Sequence, residues 1–436
     1  MDNTASELIW ETRLSCRPSC AAMKTSSSLM GGAAKTEHRS SSRRQLFLAA
    51  AFVLAAGIVA HPAAADEVEG RPIKLLIGST GGWNSNIFLT PNNTQSVYYA
   101  APYVGLSVDK AFAQQEIHST ITQTFYRYNL SSLDASAFSY NGAWLWHFTP
   151  NWSGTISGGR SESVNNFNQF QNTNQQSFVV TNYNGNINLD GLLFGGWHLL
   201  AGGSFVQSNN SQPFQALGSY KEYGMADTGL KYVAGSGSSI SAVNRWVQGD
   251  YFDQQPDPTT LLDNRYQEQE NGLKSTWYLG GKSTVNTRLS WLARRYQNFS
   301  QRDYSGPRGQ ITYVLGSAAD KLRLNVGYTR DIAAYLTDQS SYTISNTVSI
   351  IPTWQASQKI AVRMDLERAT WSYRGPVISS FPLRGDTVLS ALAGIDWTPL
   401  RYLALSASVQ RSHRSSNIFA DEYNDTLVNI STSLKF

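Results

Sequence analysis

The sequence predicts an all-β fold: a transmembrane, outer-membrane antiparallel β-barrel of about eighteen strands, with short periplasmic turns and longer extracellular loops. Three observations carry that expectation. From Arg71 onward the chain breaks into two-sided segments separated by turn residues, and their number, roughly eighteen, is even, as in bacterial barrels. The links between the segments alternate between short and long. Residues 424–436 place Val428, Ile430, Thr432, Leu434 and Phe436 on one face of a strand, with Asn429, Ser431, Ser433 and Lys435 on the other. Such a strand suits a wall with lipid outside and water inside.

Residues 1–65 are read as a leader and 66–436 as the barrel. Only residues 46–60, all Leu, Phe, Ala, Val, Ile and Gly, are apolar enough to enter a bilayer as a helix. Fifteen residues are too few to span about 30 Å of hydrocarbon comfortably. Arg43 and Arg44 precede this stretch, and Ala63, Ala64, Ala65 and Asp66 follow it, the pattern of an export signal and its cleavage site. An N-terminal membrane anchor is the alternative. Translation from Met23 or Met30 would shorten the leader to an ordinary length. Both cysteines, Cys16 and Cys20, precede the cleavage site and lack metal-ligand spacing, so no zinc site is expected. Of 35 Lys/Arg and 31 Asp/Glu, seven and four precede Asp66, leaving 28 against 27, a net of +1. Nothing in that balance points to nucleic acid.

In chain order the strands are expected over 73–83, 96–109, 114–129, 135–148, 152–163, 176–189, 193–207, 219–232 and 238–251. The second half continues with 264–279, 283–297, 303–316, 321–334, 340–354, 359–373, 384–397, 401–413 and 424–436. Short links follow the even-numbered strands: Thr149-Pro150-Asn151, Asp190-Gly191, Gly235-Ser236-Gly237, Gly280-Gly281-Lys282, Ser317-Ala318-Ala319-Asp320 and Thr398-Pro399-Leu400. Longer polar links follow most odd ones, as at 164–175, 253–263, 374–383 and 414–423. A β-sandwich has no reason to keep that alternation.

Faces agree with a barrel wall. Ile360, Val362, Met364 and Leu366 oppose Arg363, Asp365 and Glu367; Leu322, Leu324, Val326 and Tyr328 oppose Arg323, Asn325 and Thr329; Val285, Leu289 and Trp291 oppose Asn286, Arg288 and Ser290. An Arg at the lipid midplane costs about 2–4 kcal/mol, so the charged faces must point into the lumen. Trp144, Trp146, Phe148, Trp152, Trp354 and Trp397 sit beside short links, where an interfacial girdle is expected. The segment 114–129 fits poorly, because Gln123 and Arg127 share the side of Ile117, Ile121 and Phe125. Either a bulge or a position at the interface would account for it.

Arg288, Arg323, Arg363, Asp365 and Glu367 are the lumen candidates for selectivity; cross-strand pairing is the equally weighted alternative. Their mixed signs argue against a dedicated anion filter. No enzyme is expected. His118, His147, His198 and His413 fall in no HExxH or GxSxG context, and Gly281-Lys282-Ser283 lacks the leading Gly of a P-loop, since Thr276 holds that position. No cofactor and no metal are implied.

Gly82-Trp83-Asn84-Ser85-Asn86-Ile87-Phe88 resembles the segment that opens a family of barrel porins. Arg302-Asp303-Tyr304-Ser305-Gly306-Pro307, Arg384-Gly385-Asp386, Arg414-Ser415-Ser416-Asn417 and Asp421-Glu422-Tyr423 resemble its later loop signatures. The family is the exosortase-B-associated extracellular polysaccharide biosynthesis outer-membrane protein family (EpsL-type). Asn84 stands where the family usually has Asp, and Leu89 where Arg is common. The terminal strand also resembles the Phe-ending strand of outer-membrane barrels, with Phe436, Leu434 and Ile430 as its signal to the barrel assembly machinery. The resemblance implies outer-membrane lipid, polysaccharide and other exopolysaccharide secretion proteins as partners. It also implies a role in passing or guiding polysaccharide through a polar lumen. The alternatives are a general or solute-specific porin working in uptake, and a non-conducting surface or assembly protein.

At the expected extracellular mouth, Arg302, Asp303, Tyr304, Arg384, Asp386, Arg414, Asn417, Asp421 and Tyr423 have two readings. They face carbohydrate, or they hold long loops in place by ion pairs and hydrogen bonds, and the second is slightly favoured.

Overall fold

A period-two pattern leaves each strand one apolar and one polar face, and only a closed sheet gives both a home without an exposed edge. The computed structural model describes residues 72–164, 177–211, 220–317, 320–334, 340–375 and 383–436. The expected leader, residues 1–65, lies outside them. The chain forms eighteen strands: β1 (Ile73–Asn84), β2 (Val97–Phe112), β3 (Gln115–Tyr128), β4 (Ala135–Thr149), β5 (Trp152–Val164), β6 (Val179–Phe194), β7 (Trp197–Asn210), β8 (Tyr220–Val233) and β9 (Ser239–Asp250). The circuit continues through β10 (Arg265–Tyr278), β11 (Ser283–Tyr296), β12 (Tyr304–Leu315), β13 (Leu322–Ala334), β14 (Tyr342–Ser357), β15 (Ile360–Arg374), β16 (Gly385–Leu400), β17 (Leu403–Ser416) and β18 (Tyr423–Lys435).

Every strand pairs antiparallel with its sequence neighbours, and β1 pairs with β18 to close the barrel. At that seam Ile77 lies opposite Leu434 and Trp83 opposite Val428. Leu75 and Phe436 exchange backbone hydrogen bonds of 2.8 and 2.9 Å, and the Phe436 ring stacks on Tyr402 at 6.1 Å. The expected terminal-strand pattern is therefore the closing strand.

The alternation of link lengths is built as expected, with corrections of detail. Asp190 and Gly191 belong to β6, and the turn is made by Gly195 and Gly196. Both have positive φ, 53° and 85°, the backbone that a two-residue hairpin turn needs. Thr398, Pro399 and Leu400 likewise extend β16, and Arg401 and Tyr402 turn the chain. Register shifts lie just before both turns, between Leu192 and Phe194 and between Trp397 and Leu400. A bulge there carries the strand past the turn residues that the sequence suggests.

The outer wall is mostly apolar. Leu289, Trp291 and Ile430 are 55%, 56% and 65% exposed, with no protein covering them. Trp144 and Trp146 both pack on Phe148, with ring centroids at 6.3 and 4.4 Å, and Trp197 packs on Tyr232 at 5.2 Å; with exposed Trp354 and Trp397 they form an aromatic belt at the short-turn end. The misfit at Arg127 of β3 is one of position, since the strand pairs with β4 in unbroken register. No bulge is present there, and Arg127 lies one residue from the long-loop end of its strand.

Among the described residues there is no central apolar core. Buried apolar side chains gather instead in two clusters at the long-loop end. Phe88, Leu89, Val97, Leu133, Phe178 and Tyr423 form one; Tyr251, Tyr266, Leu292, Tyr296, Tyr304, Ile332 and Ala334 form the other.

Some glycines accept aromatic rings from the neighbouring strand. A Cβ added at Gly249 would fall inside the ring of Tyr266, whereas one at Gly185 would meet nothing within 4 Å. Gly249→Val is expected to cost about 1–3 kcal/mol through displacement of that ring. The cost should appear as a lower temperature for conversion of the folded to the unfolded band in semi-native gel electrophoresis. Gly185→Val should leave the transition in place.

Candidate functional site

The outward face fixes the inward one, because successive side chains alternate across a strand. On β6 the alternation gives Asn182, Asn184, Asn186 and Asn188 to the lumen, while Ile187, 50% exposed, faces out. Ser153, Thr155 and Ser157 of β5, Ser345, Thr347 and Ser349 of β14, and Ser406, Ser408, Gln410 and Ser412 of β17 fall on the same inner face. Much of the inner wall therefore offers hydroxyls and amides. Sequence reasoning missed the asparagine row, and its signal was an Asn at every second position of 182–188.

The wall from β8 to β13 is different. Glu268 of β10 accepts the Nε–H of Arg294 of β11 at 2.8 Å and forms an ion pair with its Nη2 at 2.7 Å. The guanidinium is fully buried and stands 3.7 Å from the centroid of the Tyr266 ring, a cation–π contact. Tyr266 donates its hydroxyl proton to Glu222. One row further into the barrel, Glu270 takes Arg288 at 2.6 Å and Arg308 at 3.1 Å, and Arg308 passes on to Asp331 at 2.6 Å. Most opposite charges along this wall are thus used up against each other, Arg323 of β13 excepted. Smaller groups near the short turns follow the same rule: Asp190 holds His198 and Lys231, and Asp109 holds Lys74 and His118.

The predicted lumen residues are distributed over both kinds of wall. Arg288 belongs to the Glu270 group. Arg363 pairs with Asp396 at 3.0 Å. The Oδ1 of Asp365 is enclosed without a hydrogen-bond partner, and Glu367 follows two residues on along the same face. Arg323, on the inner face of β13, has no ion pair among the described residues. The structure does not bring these five into one cluster.

Two loops fold over the lumen-facing side of the long-loop end. Val97 and Tyr423 have inward positions, and both are buried beneath Phe88 and Leu89 of the loop 85–96. Tyr266, Leu292 and Tyr296 are also inward, and they are buried with Tyr251 and Leu262 of the loop 251–264. The hairpins β1–β2 and β9–β10 stand eight strands apart in a circuit of eighteen. The loops therefore enter from nearly opposite walls.

Each loop has its own fastening. Asp425 of β18 accepts Asn84 Nδ2 at 3.2 Å, Ser85 Oγ at 3.1 Å and the Asn86 amide at 3.2 Å. Asn86, fully buried, donates to the carbonyls of Thr90 and Asn424. An Asp at position 84 would set two carboxylates against each other, and Asn avoids that. On the opposite side Arg302, also fully buried, donates to the carbonyls of Leu261 at 2.9 Å, Thr260 at 2.5 Å and Ser340 at 3.0 Å. Asp257 caps the same loop through Thr259 N and Thr260 Oγ1, and those bonds hold its carboxyl below the usual range.

The remaining mouth candidates are likewise engaged within the protein. Asp303 accepts from the amide of Tyr296 at 2.7 Å, and Tyr304 stacks on Tyr342 at 4.9 Å. Arg384 clamps Asp386 and reaches Asp421 at 3.0 Å. Burial pushes the Asp421 carboxyl up, against the opposing pull of Arg384. Arg414 lies between the rings of Trp371 and Tyr423, 4.9 and 5.0 Å from their centroids. Asn417 bridges Gly385 N and Leu383 O.

No family model matches this chain, and no curated protein does. Similar solved structures include OpdK of Pseudomonas aeruginosa with vanillate, at 10% identity and a TM-score of 0.45 over 84% of this chain and 99% of that one. OccAB3 of Acinetobacter baumannii is similar at 9% and 0.46, over 84% and 99%. A BenF-like porin of Pseudomonas fluorescens Pf-5 is similar at 11% and 0.46, over 85% and 100%. The eighteen-stranded closure stands on the strand pairing described above.

Arg302→Ala strands three carbonyls, each worth about 1–3 kcal/mol if left unsatisfied. The loop 251–264 is expected to leave the inner wall. Limited proteolysis should then cut near Pro256 in the variant and spare the parent chain, while heat-modifiable mobility on gels shows the barrel still closed.

Proposed function

We infer that the protein is an outer-membrane channel through which small hydrophilic solutes diffuse, uncharged ones above all, with no covalent chemistry. The observation that carries this reading is the division of the inner wall. One side presents mainly amides and hydroxyls, some bonded to each other as Ser406 is to Ser431 and Gln410 to Ser390 and Ser412, and the other presents charges mostly neutralised by their neighbours. A solute following the neutral side exchanges water for protein hydrogen bonds at little net cost. The opposed loops 85–96 and 251–264 narrow the long-loop end, which favours small solutes. An apolar exterior with an aromatic belt supports placement in a bilayer, and eighteen strands leave room for an aqueous path.

Passage of a polysaccharide, which the family resemblance implies, is a second reading. The asparagine row favours it, since amides spaced every second residue along a strand present repeated donors and acceptors to a hydroxyl-rich chain. Deletion of the gene separates the two: slower uptake of small solutes with unchanged secreted polymer supports the solute channel, and the reverse supports export.

Purified protein in planar bilayers is expected to conduct, with a cation-to-anion permeability ratio within a few-fold of unity. Asn184→Asp with Asn186→Asp should shift the ratio toward cations and slow the swelling of sugar-loaded liposomes. Absence of conductance in the parent chain would overturn the channel reading and favour an assembly role.

A further inference from the structure

Outside the barrel, the wall from β14 to β17 carries a groove of about 460 Å³ that the channel does not use. Its register is fixed by the sheet. Val348 lies opposite Arg368, Arg368 opposite Leu389 and Leu389 opposite His413. One level below, Leu366 lies opposite Ala391 and Ala391 opposite Arg411. Ala391 is the small side chain at the centre, so the floor is a hollow bounded by Leu366, Leu389 and Val348. Above and beside it stand Arg368, Arg411 and His413, all exposed.

These positions face away from the lumen, and their charge is unmatched there. By strand alternation the outward positions of β14, β15, β16 and β17 include no Asp or Glu. The carboxylates of these strands, Asp365, Glu367, Asp386 and Asp396, all fall on the inner face. Among the described residues Arg368 and Arg411 have no ion pair, and His413 is held by Asn424 at 2.9 Å. Cations among Val348, Ile350, Leu366, Leu389, Ala391 and Val409 are costly at membrane depth unless an anion meets them.

Depth tells which anion. From the belt residue Trp397 to Leu389 the strand rises about 20 Å along the barrel axis, allowing for tilt, against an apolar band of about 25 Å. Arg368 and His413 stand level with Leu389, at the long-loop edge of that band, where lipid headgroups lie. The strands bearing Arg368 and Arg411 are two apart and the residues are offset by two positions, so about 12 Å separates their backbones, a gap that two extended Arg side chains close on one phosphate between them. The apolar hollow lies immediately below, where acyl chains begin.

The geometry points to a docking site for one molecule of phosphorylated, multiply acylated glycolipid, the chemistry of an outer leaflet. Arg368 and Arg411 hold a phosphate, and an acyl chain lies over Ala391 between Leu366 and Leu389. This inference rests on the outer-membrane reading given above.

The test uses the full chain in neutral phosphatidylcholine nanodiscs with bisphosphorylated, hexa-acylated lipid A as the probe, and native mass spectrometry as the readout. One lipid A is expected to stay bound to the parent chain. In Arg368→Gln/Arg411→Gln its retention should fall roughly tenfold or more, the loss of charge-assisted bonds to phosphate. Arg127→Gln, on the outer wall at the same end, should retain it fully. Phosphatidylglycerol at the same concentration should be retained less than lipid A. Equal retention in the double variant, equal retention of dephosphorylated lipid A, or equal retention of phosphatidylglycerol overturns the site. Conductance of the double variant separates the two readings: retention lost with normal conductance supports the site, and normal conductance with unchanged retention removes the site while leaving the channel. A parent chain that stays soluble without detergent removes both.

Discussion

The seam between β1 and β18 is the constraint on which the rest depends. Within hydrocarbon an unpaired backbone N–H or C=O costs several kcal/mol, so a sheet can cross only if it has no edge. Here the pairing runs from Leu76 opposite Lys435 to Asn84 opposite Leu427 without a shift. Its two ends are fastened by different chemistry. Near the short turns, Leu75 and Phe436 exchange backbone bonds; near the long loops, Asp425 gathers Asn84, Ser85 and Asn86. A slip of one residue would turn Ile430 inward and Asn429 outward. The seam therefore also fixes which chemistry meets lipid and which meets the lumen.

A rigid wall allows loops to be held against its inner side. Both inward loops contain a leucine in the left-handed region, Leu89 at φ 52° and Leu261 at φ 55°. Such a conformation costs a non-glycine residue about 1–2 kcal/mol. Each is offset locally. The Leu89 side chain is buried among Phe88, Leu133 and Tyr423, and the Leu261 carbonyl is taken by Arg302. The arginine in turn is buried, and three carbonyls stand in for its hydration. Loop and fastening are thus mutually dependent, which is why Arg302, a residue expected at an open mouth, lies fully enclosed.

How much of this was legible in the sequence depended on range. Alternation within a strand is local, so the faces of β11, β13, β15 and β18 could be read directly from the residues. Link lengths gave the order and direction of all eighteen strands. Turn positions were less legible, because bulges before Gly195 and Arg401 carry β6 and β16 beyond their Gly and Pro signals. Partners were least legible. Arg288 reaches Glu270, 18 residues away, and Asn84 reaches Asp425, 341 residues away. No spacing rule announces either pairing, since the first depends on register between strands and the second on closure of the whole sheet.

The charge arrangement follows from the same geometry. Buried ions need partners at short range, and neighbouring strands supply them only where opposite charges fall at matching depth. The wall from β8 to β13 meets that condition through Glu268, Glu270, Arg294, Arg308 and Asp331, and the loop 251–264 packs on it. Charges locked in such a wall contribute little field across the lumen, because each is met within a few ångström by its opposite. On the proposed channel reading, discrimination among solutes then rests on width, on the hydrogen-bonding pattern of the amide and hydroxyl wall, and on Arg323, which has no ion pair among the described residues. Outside, the logic reverses: among the described residues Arg368 and Arg411 have no carboxylate on their own face, which leaves their charge open to the phosphate proposed above.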